Sequence, residues 1–158
     1  MTTTSYAIAL GSNRPGRHGG PRDEVRAALA ALDGVYAVSP ILTTAPLGPS
    51  IRAFANAAAL VRSPLTPPEM LARLKAIERD FGRRRGRRWG TRVIDLDIVL
   101  WSGGRWRSAG LTVPHIAYAQ RAFVLHPLAA IAGAWRDPWN GRRIRQLRHG
   151  VDRRRPRP

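Results

Sequence analysis

The stretch Arg88-Trp89-Gly90-Thr91-Arg92-Val93-Ile94-Asp95-Leu96-Asp97-Ile98-Val99-Leu100 decides how this chain is read. Val93 to Trp101 is its most convincing buried strand, and the most basic run, Gly82 to Arg88, lies just ahead of it. Side chains alternate faces along an extended chain. Asp95 and Asp97 therefore share one face, while Ile94, Leu96 and Ile98 share the other. Two carboxylates so placed stand roughly 7 Å apart along the strand, and they repel unless positive charge lies between them. The candidates are the neighbouring arginines, a divalent metal, or both. Acids carried into a basic cleft point to metal-assisted chemistry on a phosphate-rich substrate. The competing reading is a pair of surface acids salt-bridged to Arg92 and its neighbours. The apolar residues on either side favour the first, because exposed acids seldom sit mid-way along a buried strand.

The chain has 158 residues, enough for one domain with a real core. No apolar run approaches the ~20 residues that span a bilayer. Met1 to Ser5 is polar and has no basic region of the kind that opens a secretory signal. The absence of cysteine excludes disulfides, thiolate zinc sites and a cysteine nucleophile, and is compatible with the cytoplasm. The net charge is +17, and Lys75 is the only lysine. Most of that charge reads as an arginine-rich solvated surface. The cluster Arg83, Arg84, Arg85, Arg87 and Arg88 reads better as a site for an anionic partner, because it adjoins the acid pair.

Tyr6 to Leu10 is predicted as a first strand, broken by Gly11-Ser12-Asn13. The Gly11–Arg22 loop is rich in Gly, Pro and Arg but carries neither a Walker nor a dinucleotide-binding glycine pattern. Asp23 is predicted to cap a helix over Asp23–Leu32, ended by Asp33-Gly34. Val35 to Leu42 is predicted as strand two, and Thr43 to Ile51 as a loop. Phe54 to Val61 has alanines that favour helix, but it is short and lies between proline-bearing loops, so a third strand is predicted. Thr66-Pro67-Pro68-Glu69 opens a second helix, with Met70, Leu71, Leu74, Ile77 and Phe81 as its apolar stripe and Gly82 as its stop. After the central strand, Ser102-Gly103-Gly104 turns the chain and Arg105 to Arg107 returns as a short strand. Leu111 to Tyr118 is expected to be irregular. Arg121 to Ile131 is expected to be helical, distorted by Pro127. The order β-α-β-β-α-β plus a final helix predicts an α+β ferredoxin-like sandwich. The expected organisation is one domain over residues 1–151 and a basic disordered tail over residues 152–158.

The remaining chemistry-bearing residues say less. His115 follows a proline and is either a capping histidine or a phosphate contact. His18, His126 and His149 have no ligand spacing with one another or with acids, which argues against zinc. Trp89 and Phe54 are flat aromatics beside polar loops. Asn56 shares a strand face with Phe54 and has the donors and acceptors to read a heterocycle.

Several of these segments, in this order, resemble the 6-hydroxymethyl-7,8-dihydropterin pyrophosphokinases of folate biosynthesis. They are A-L-G-S-N at Ala9–Asn13, T-A-P-L-G-P at Thr44–Pro49, F-A-N-A-A at Phe54–Ala58, I-E-R-D-F-G-R-R-R at Ile77–Arg85, the opening stretch itself, L-T-V-P-H at Leu111–His115 and R-A-F-V-L at Arg121–Leu125. The resemblance covers roughly residues 6 to 135. It implies a ferredoxin-like fold and transfer of pyrophosphate from ATP to the pterin hydroxymethyl group, releasing AMP, with two magnesium ions. It implies that Asp95 and Asp97 hold both metals and that Arg83 and Arg85 belong to a mobile catalytic loop. Arg92 and His115 would meet phosphates, and Arg121 would be another basic residue of the active-site wall. The pterin would lie between Phe54 and Phe123, read by Asn56, by Asp95 and by the backbone of Thr44, Ala45, Pro46 and Leu47. Leu71, Lys75, Glu78, Trp89, Ile98 and Thr112 would surround ATP. The chain departs from the family pattern in its Gly- and Arg-rich Gly11–Arg22 loop, in Thr91 where proline is usual, and in Ile116 where an aromatic is common. The resemblance implies a monomer with no membrane partner. The rival from another class is a basic nucleic-acid-binding module, whose affinity would fall steeply with salt. Acids at the centre of its basic face argue against it. A third reading keeps the fold as a pterin or nucleotide binder without turnover.

Overall fold

A computed structural model describes residues 2–44, 53–82 and 93–154. In chain order the elements are β1 (Thr4–Ser12), α1 (Pro21–Ala31), β2 (Val35–Val38), β3 (Leu42–Thr44), β4 (Phe54–Ser63), α2 (Pro67–Gly82), β5 (Asp95–Trp101), β6 (Trp106–Ser108), β7 (Leu111–Val113), α3 (Ala122–Ala132) and α4 (Ile144–Arg154), with a 3-10 turn at Tyr118–Gln120. The main sheet runs β2-β4-β1-β5, with β3 also paired to β4, and every pairing is antiparallel. This is the predicted ferredoxin-like arrangement. No helix among the described residues is long and apolar enough to cross a membrane.

Both faces of the sheet are covered. On one, Tyr6, Ile8 and Leu10 of β1 pack with Val25 and Ala28 of α1 and with Leu74 and Ile77 of α2. On the other, Ala7, Ala58 and Leu60 pack with Val124, Leu125 and Leu128 of α3 and Ile144 of α4. Double coverage explains β4. It is buried on both faces and so reads as a nearly unbroken apolar run rather than an alternating one. Its alanines admit both helix and strand; pairing on both sides makes it a strand.

The boundaries differ from expectation where side chains compete with the backbone. Asp23 is not the cap of α1. The cap is Gly20, and Asp23, three residues on, accepts the Gly20 N–H at 3.2 Å. Predicted strand two is split. Pro40 has no N–H for the ladder, and Ser39 bridges the gap: its N–H donates to the Ala58 carbonyl at 2.9 Å, and its Oγ accepts the Ala58 N–H at 2.8 Å. Thr43 and Thr44, expected in a loop, pair with Ala55 and Phe54. Leu111–Val113, expected to be irregular, forms a hairpin with Trp106–Ser108. The start of α2 is as predicted, with Glu69 accepting the Thr66 N–H at 2.9 Å. That bond, followed by one from the Thr66 hydroxyl, holds the Glu69 carboxyl below its ordinary range. Asp152, Arg153 and Arg154 are the end of α4 rather than a disordered tail. Ile144, Leu147 and Val151 form the apolar edge of that helix, and Asp152 pairs with His126 of α3 at 2.6 Å.

In β5 an irregularity opposite Ala7 and Ile8 inserts Val99 as an extra residue. The Val99 carbonyl accepts the His115 N–H at 3.0 Å, which ties the segment after β7 to the middle of the sheet. Leu128 is fully buried between α3 and the sheet. Leu128→Ala is expected to lower unfolding free energy by about 2–5 kcal/mol, measured in urea. Tyr36, 46% exposed, should tolerate alanine with a loss below about 1 kcal/mol.

Candidate active site

The pairing register assembles the site. Gly11 of β1 lies between Asp95 of β5 and Asn56 of β4, and Asn56 lies opposite Leu42 of β3. One row further along, Ala9 lies between Asp97 and Ala58. The middle strand thus presents only Ala9 and Gly11 on this face, and a hollow opens above them. A Cβ at Gly11 would stand 3.0 Å from Asn56 Oδ1, so a side chain there would press on that amide. The hollow is a cleft of about 320 Å³ under the start of α3. Phe54, Asn56, Asp95, Asp97, His115, Arg121 and Phe123 line it together. These residues come from positions 54 to 123, so the sheet and α3 gather the predicted acids, aromatics, amide and basic groups into one place.

Asp95 and Asp97 are exposed, whereas Leu96 and Ile98 between and beyond them are buried against the helices. The predicted division of faces therefore holds. The Asp97 side chain has no hydrogen-bond or ion-pair partner among the described residues. Asn56 is 7% exposed, and its amide likewise has no partner there. An amide at a cleft wall, with its donors and acceptor turned to the cleft rather than spent on protein, is suited to a polar heterocycle. Phe54 is 41% and Phe123 50% exposed, unusually open for phenylalanine. The Arg121 guanidinium lies 5.8 Å from the Phe123 ring centroid.

Leu71, Lys75, Glu78, Ile98 and Thr112 do not line this cleft. Ile98 is 4% exposed and packs on the helix side. Glu78 accepts the Leu96 N–H at 2.9 Å and lies 3.4 Å from Lys75 Nζ. It therefore holds the backbone between the two aspartates. Thr44 pairs with Phe54 at the cleft's edge. Ala45, Pro46, Leu47, Arg83, Arg85, Trp89 and Arg92 lie outside the described residues.

Six lining residues were not foreseen: Ala9, Leu10 and Gly11 of β1, Val99, Tyr118 and Val124. Val99 was read only as strand core. Tyr118 lines the cleft and is buried, and its hydroxyl donates to Asp137. Asp137 also accepts N–H bonds from Trp139 at 2.7 Å and Asn140 at 3.3 Å. Nothing in a spacing of 19 residues announces this pair; only the packing of α3 and α4 reveals it.

The described residues contain no group of three or more His, Asp and Glu side chains that would cage a metal. Two carboxylates on one exposed strand face fit magnesium nonetheless, since it keeps waters and takes phosphate oxygens alongside one or two carboxylates.

The model of the family described as 7,8-dihydro-6-hydroxymethylpterin-pyrophosphokinase matches residues 7–133. The chain belongs to this family. It is a pyrophosphokinase of folate biosynthesis, with hydroxymethyldihydropterin as the acceptor. It is 40% identical over 146 residues to the 2-amino-4-hydroxy-6-hydroxymethyldihydropteridine pyrophosphokinase of Pseudomonas aeruginosa, a match that covers 89% of this chain and 87% of the relative. It is 44% identical over 105 residues to the Synechocystis enzyme of the same name, covering 66% of this chain and 54% of that one. Its fold matches a crystal structure of Plasmodium falciparum HPPK-DHPS wild type with STZ-DHP at a TM-score of 0.76 and 14% identity, covering 97% of this chain and 44% of that one.

Burial, and then the hydrogen bond to Asp137 and its charge, push the Tyr118 phenol of this pyrophosphokinase upward from its ordinary 10.0. A phenol raised in the fold adds stability that is fully present below pH 10.0, where both states keep the proton. That stability is lost as pH climbs further, because the unfolded chain ionises first. Tyr118→Phe is therefore expected to flatten the alkaline fall in urea stability. At neutral pH it should cost about 1–3 kcal/mol, since Asp137 loses a donor.

Proposed function

We propose that the cleft holds the pterin and that Asp95 and Asp97 bind two magnesium ions with the polyphosphate of ATP. One observation carries this: both carboxylates open into the same cleft as Phe54, Asn56 and Phe123. Phe54 and Phe123 would hold the faces of the heterocycle, and Asn56 its polar edge. The backbone of Thr44 to Leu47 completes that edge in this reading. The hydroxymethyl oxygen attacks the β-phosphorus of ATP. The bond from that phosphorus to the α–β bridging oxygen breaks, and AMP leaves with the oxygen. Magnesium, when bound, supplies the positive charge that lets two aspartates and a triphosphate share one space.

The protein's share is positioning and charge. His115 and Arg121 reach the cleft and are assigned to the phosphates, as are Arg83, Arg85 and Arg92. Leu71, Lys75, Glu78, Trp89, Ile98 and Thr112 are assigned to the nucleotide. Support for five of these is that α2 and β7 both contact β5, so a nucleotide lying along that strand would reach its triphosphate to the aspartates. We assign the chain through the end of α4 at Arg154 to one catalytic domain, and the enzyme to the cytoplasm as a monomer.

The test is incubation with ATP, magnesium and 6-hydroxymethyl-7,8-dihydropterin, with AMP followed by chromatography. Turnover should vanish with a metal chelator and return with magnesium. Asp97→Asn should lower kcat by at least about a hundredfold, roughly 2.7 kcal/mol of barrier, with an unchanged circular dichroism spectrum. Phe123→Ala should act differently, raising the pterin KM more than it lowers kcat. A folded wild type that releases no AMP would overturn the reading.

A further inference from the structure

Against the loop between β1 and α1 lies a buried acid of α1 that the proposed reaction does not use. Glu24 is completely buried in the first turns of α1. A buried carboxylate is costly unless it is fully paired, and both of its oxygens are engaged by one residue. Oε1 accepts the His18 backbone N–H at 2.8 Å, and Oε2 lies 2.8 Å from His18 Nδ1. His18 sits in a tight turn closed by Gly16 and Gly19, which exchange N–H···O bonds of 2.9 and 3.2 Å.

That turn touches two further elements. Its histidine ring packs on Phe81 of α2, with ring centroids 4.7 Å apart. Arg17 reaches Asp80 of α2 at 2.6 Å and lies over the Phe81 ring at 5.9 Å. Gly16 is wedged between Glu24 and Val93: a Cβ there would stand 2.5 Å from Glu24 Oε1 and 2.7 Å from Val93 Cγ1. Ser12, at the other end of the loop, donates to the Val93 carbonyl at 2.6 Å. One small turn therefore grips the C-terminal end of α2 and the lead-in to β5, two points between which the chain runs from residue 82 to residue 93.

We propose that His18 is a positioning residue for pyrophosphoryl transfer. Locked by Glu24, it fixes the C-terminal end of α2 against Val93, and so sets where the arginine-rich connection starts and ends relative to Asp95 and Asp97. This rests on the reading that Arg83, Arg85 and Arg92 serve the phosphates. His18 itself touches no substrate. Its contribution belongs in kcat, because the pterin residues Phe54, Asn56 and Phe123 lie on other elements.

Three substitutions and two readouts test it. His18→Ala is expected to lower kcat at least about tenfold while the pterin KM moves less than about twofold. His18→Asn, whose amide nitrogen occupies nearly the place of Nδ1, should recover to within about threefold of wild type. Asp80→Ala removes only the exposed leg, so it should fold normally and lower kcat about threefold. The second readout is hydrogen exchange, in which His18→Ala should speed exchange in peptides covering residues 78–82 and 93–96 but not in α4. Full kcat in folded His18→Ala would overturn the proposal. If that variant does not fold, full kcat in Asp80→Ala would do so. Unchanged exchange at both ends would also sink it. If the wild type itself releases no AMP, the functional reading fails, and the exchange experiment still decides whether His18 joins the two ends.

Discussion

Everything at the site depends on how β1 meets β5. Their antiparallel register puts Asp95 beside Gly11 and Asp97 beside Ala9. Had β1 carried larger residues on that face, the space above the carboxylates would be filled by protein. Instead the strand is divided by its own alternation. Tyr6, Ile8 and Leu10 build the core under α1 and α2, while on the other face Ala7 packs under α3 and α4 and Ala9 and Gly11 leave room for the cleft. A slip of one residue would turn bulky side chains into the cleft and acids into the core. The fold and the site are thus specified by the same two-residue period, read from opposite faces.

Periodicity made much of this legible in the sequence. The shared face of Asp95 and Asp97, the stripe of α2 and its Thr66–Glu69 start are local properties, and local properties survive folding. Resemblance to the pterin pyrophosphokinases pointed to Phe54, Asn56, His115, Arg121 and Phe123, and the fold brings all five to one cleft. What stayed hidden was set by partners distant in sequence. Ser39 takes over a ladder that Pro40 interrupts only because Ala58 lies opposite it. Tyr118 and Asp137 find each other only once α3 and α4 have packed. The α4 helix was legible in principle, since Ile144, Leu147 and Val151 repeat at helical spacing, but the surrounding arginines drew attention to charge.

The Gly11–Arg22 loop shows a different relation between sequence and structure. Its glycines and arginines read as a loop without a known phosphate-binding pattern. In the fold, Gly16 lies so near Glu24 and Val93 that a Cβ would collide with both, and Gly19 takes a φ of +129° that other residues rarely adopt. Two of its three arginines are likewise occupied: Arg17 by Asp80, and Arg22 by the Ile41 carbonyl and Thr43. Part of what reads as a charged surface is thus cross-bracing between elements.

The bond from Glu78 to the Leu96 N–H has a consequence beyond the site. β5 is the outermost strand of its sheet, and the Leu96 amide is turned away from β1. An outer strand with open N–H groups invites a strand from another molecule to add to it. At Leu96 that position is already taken by a carboxylate held on α2, and Asp95 and Asp97 flank it with charges that a neighbouring backbone would have to desolvate. The acids at the centre of this chain thus also guard its edge, and keep a sheet built for catalysis from growing into an aggregate.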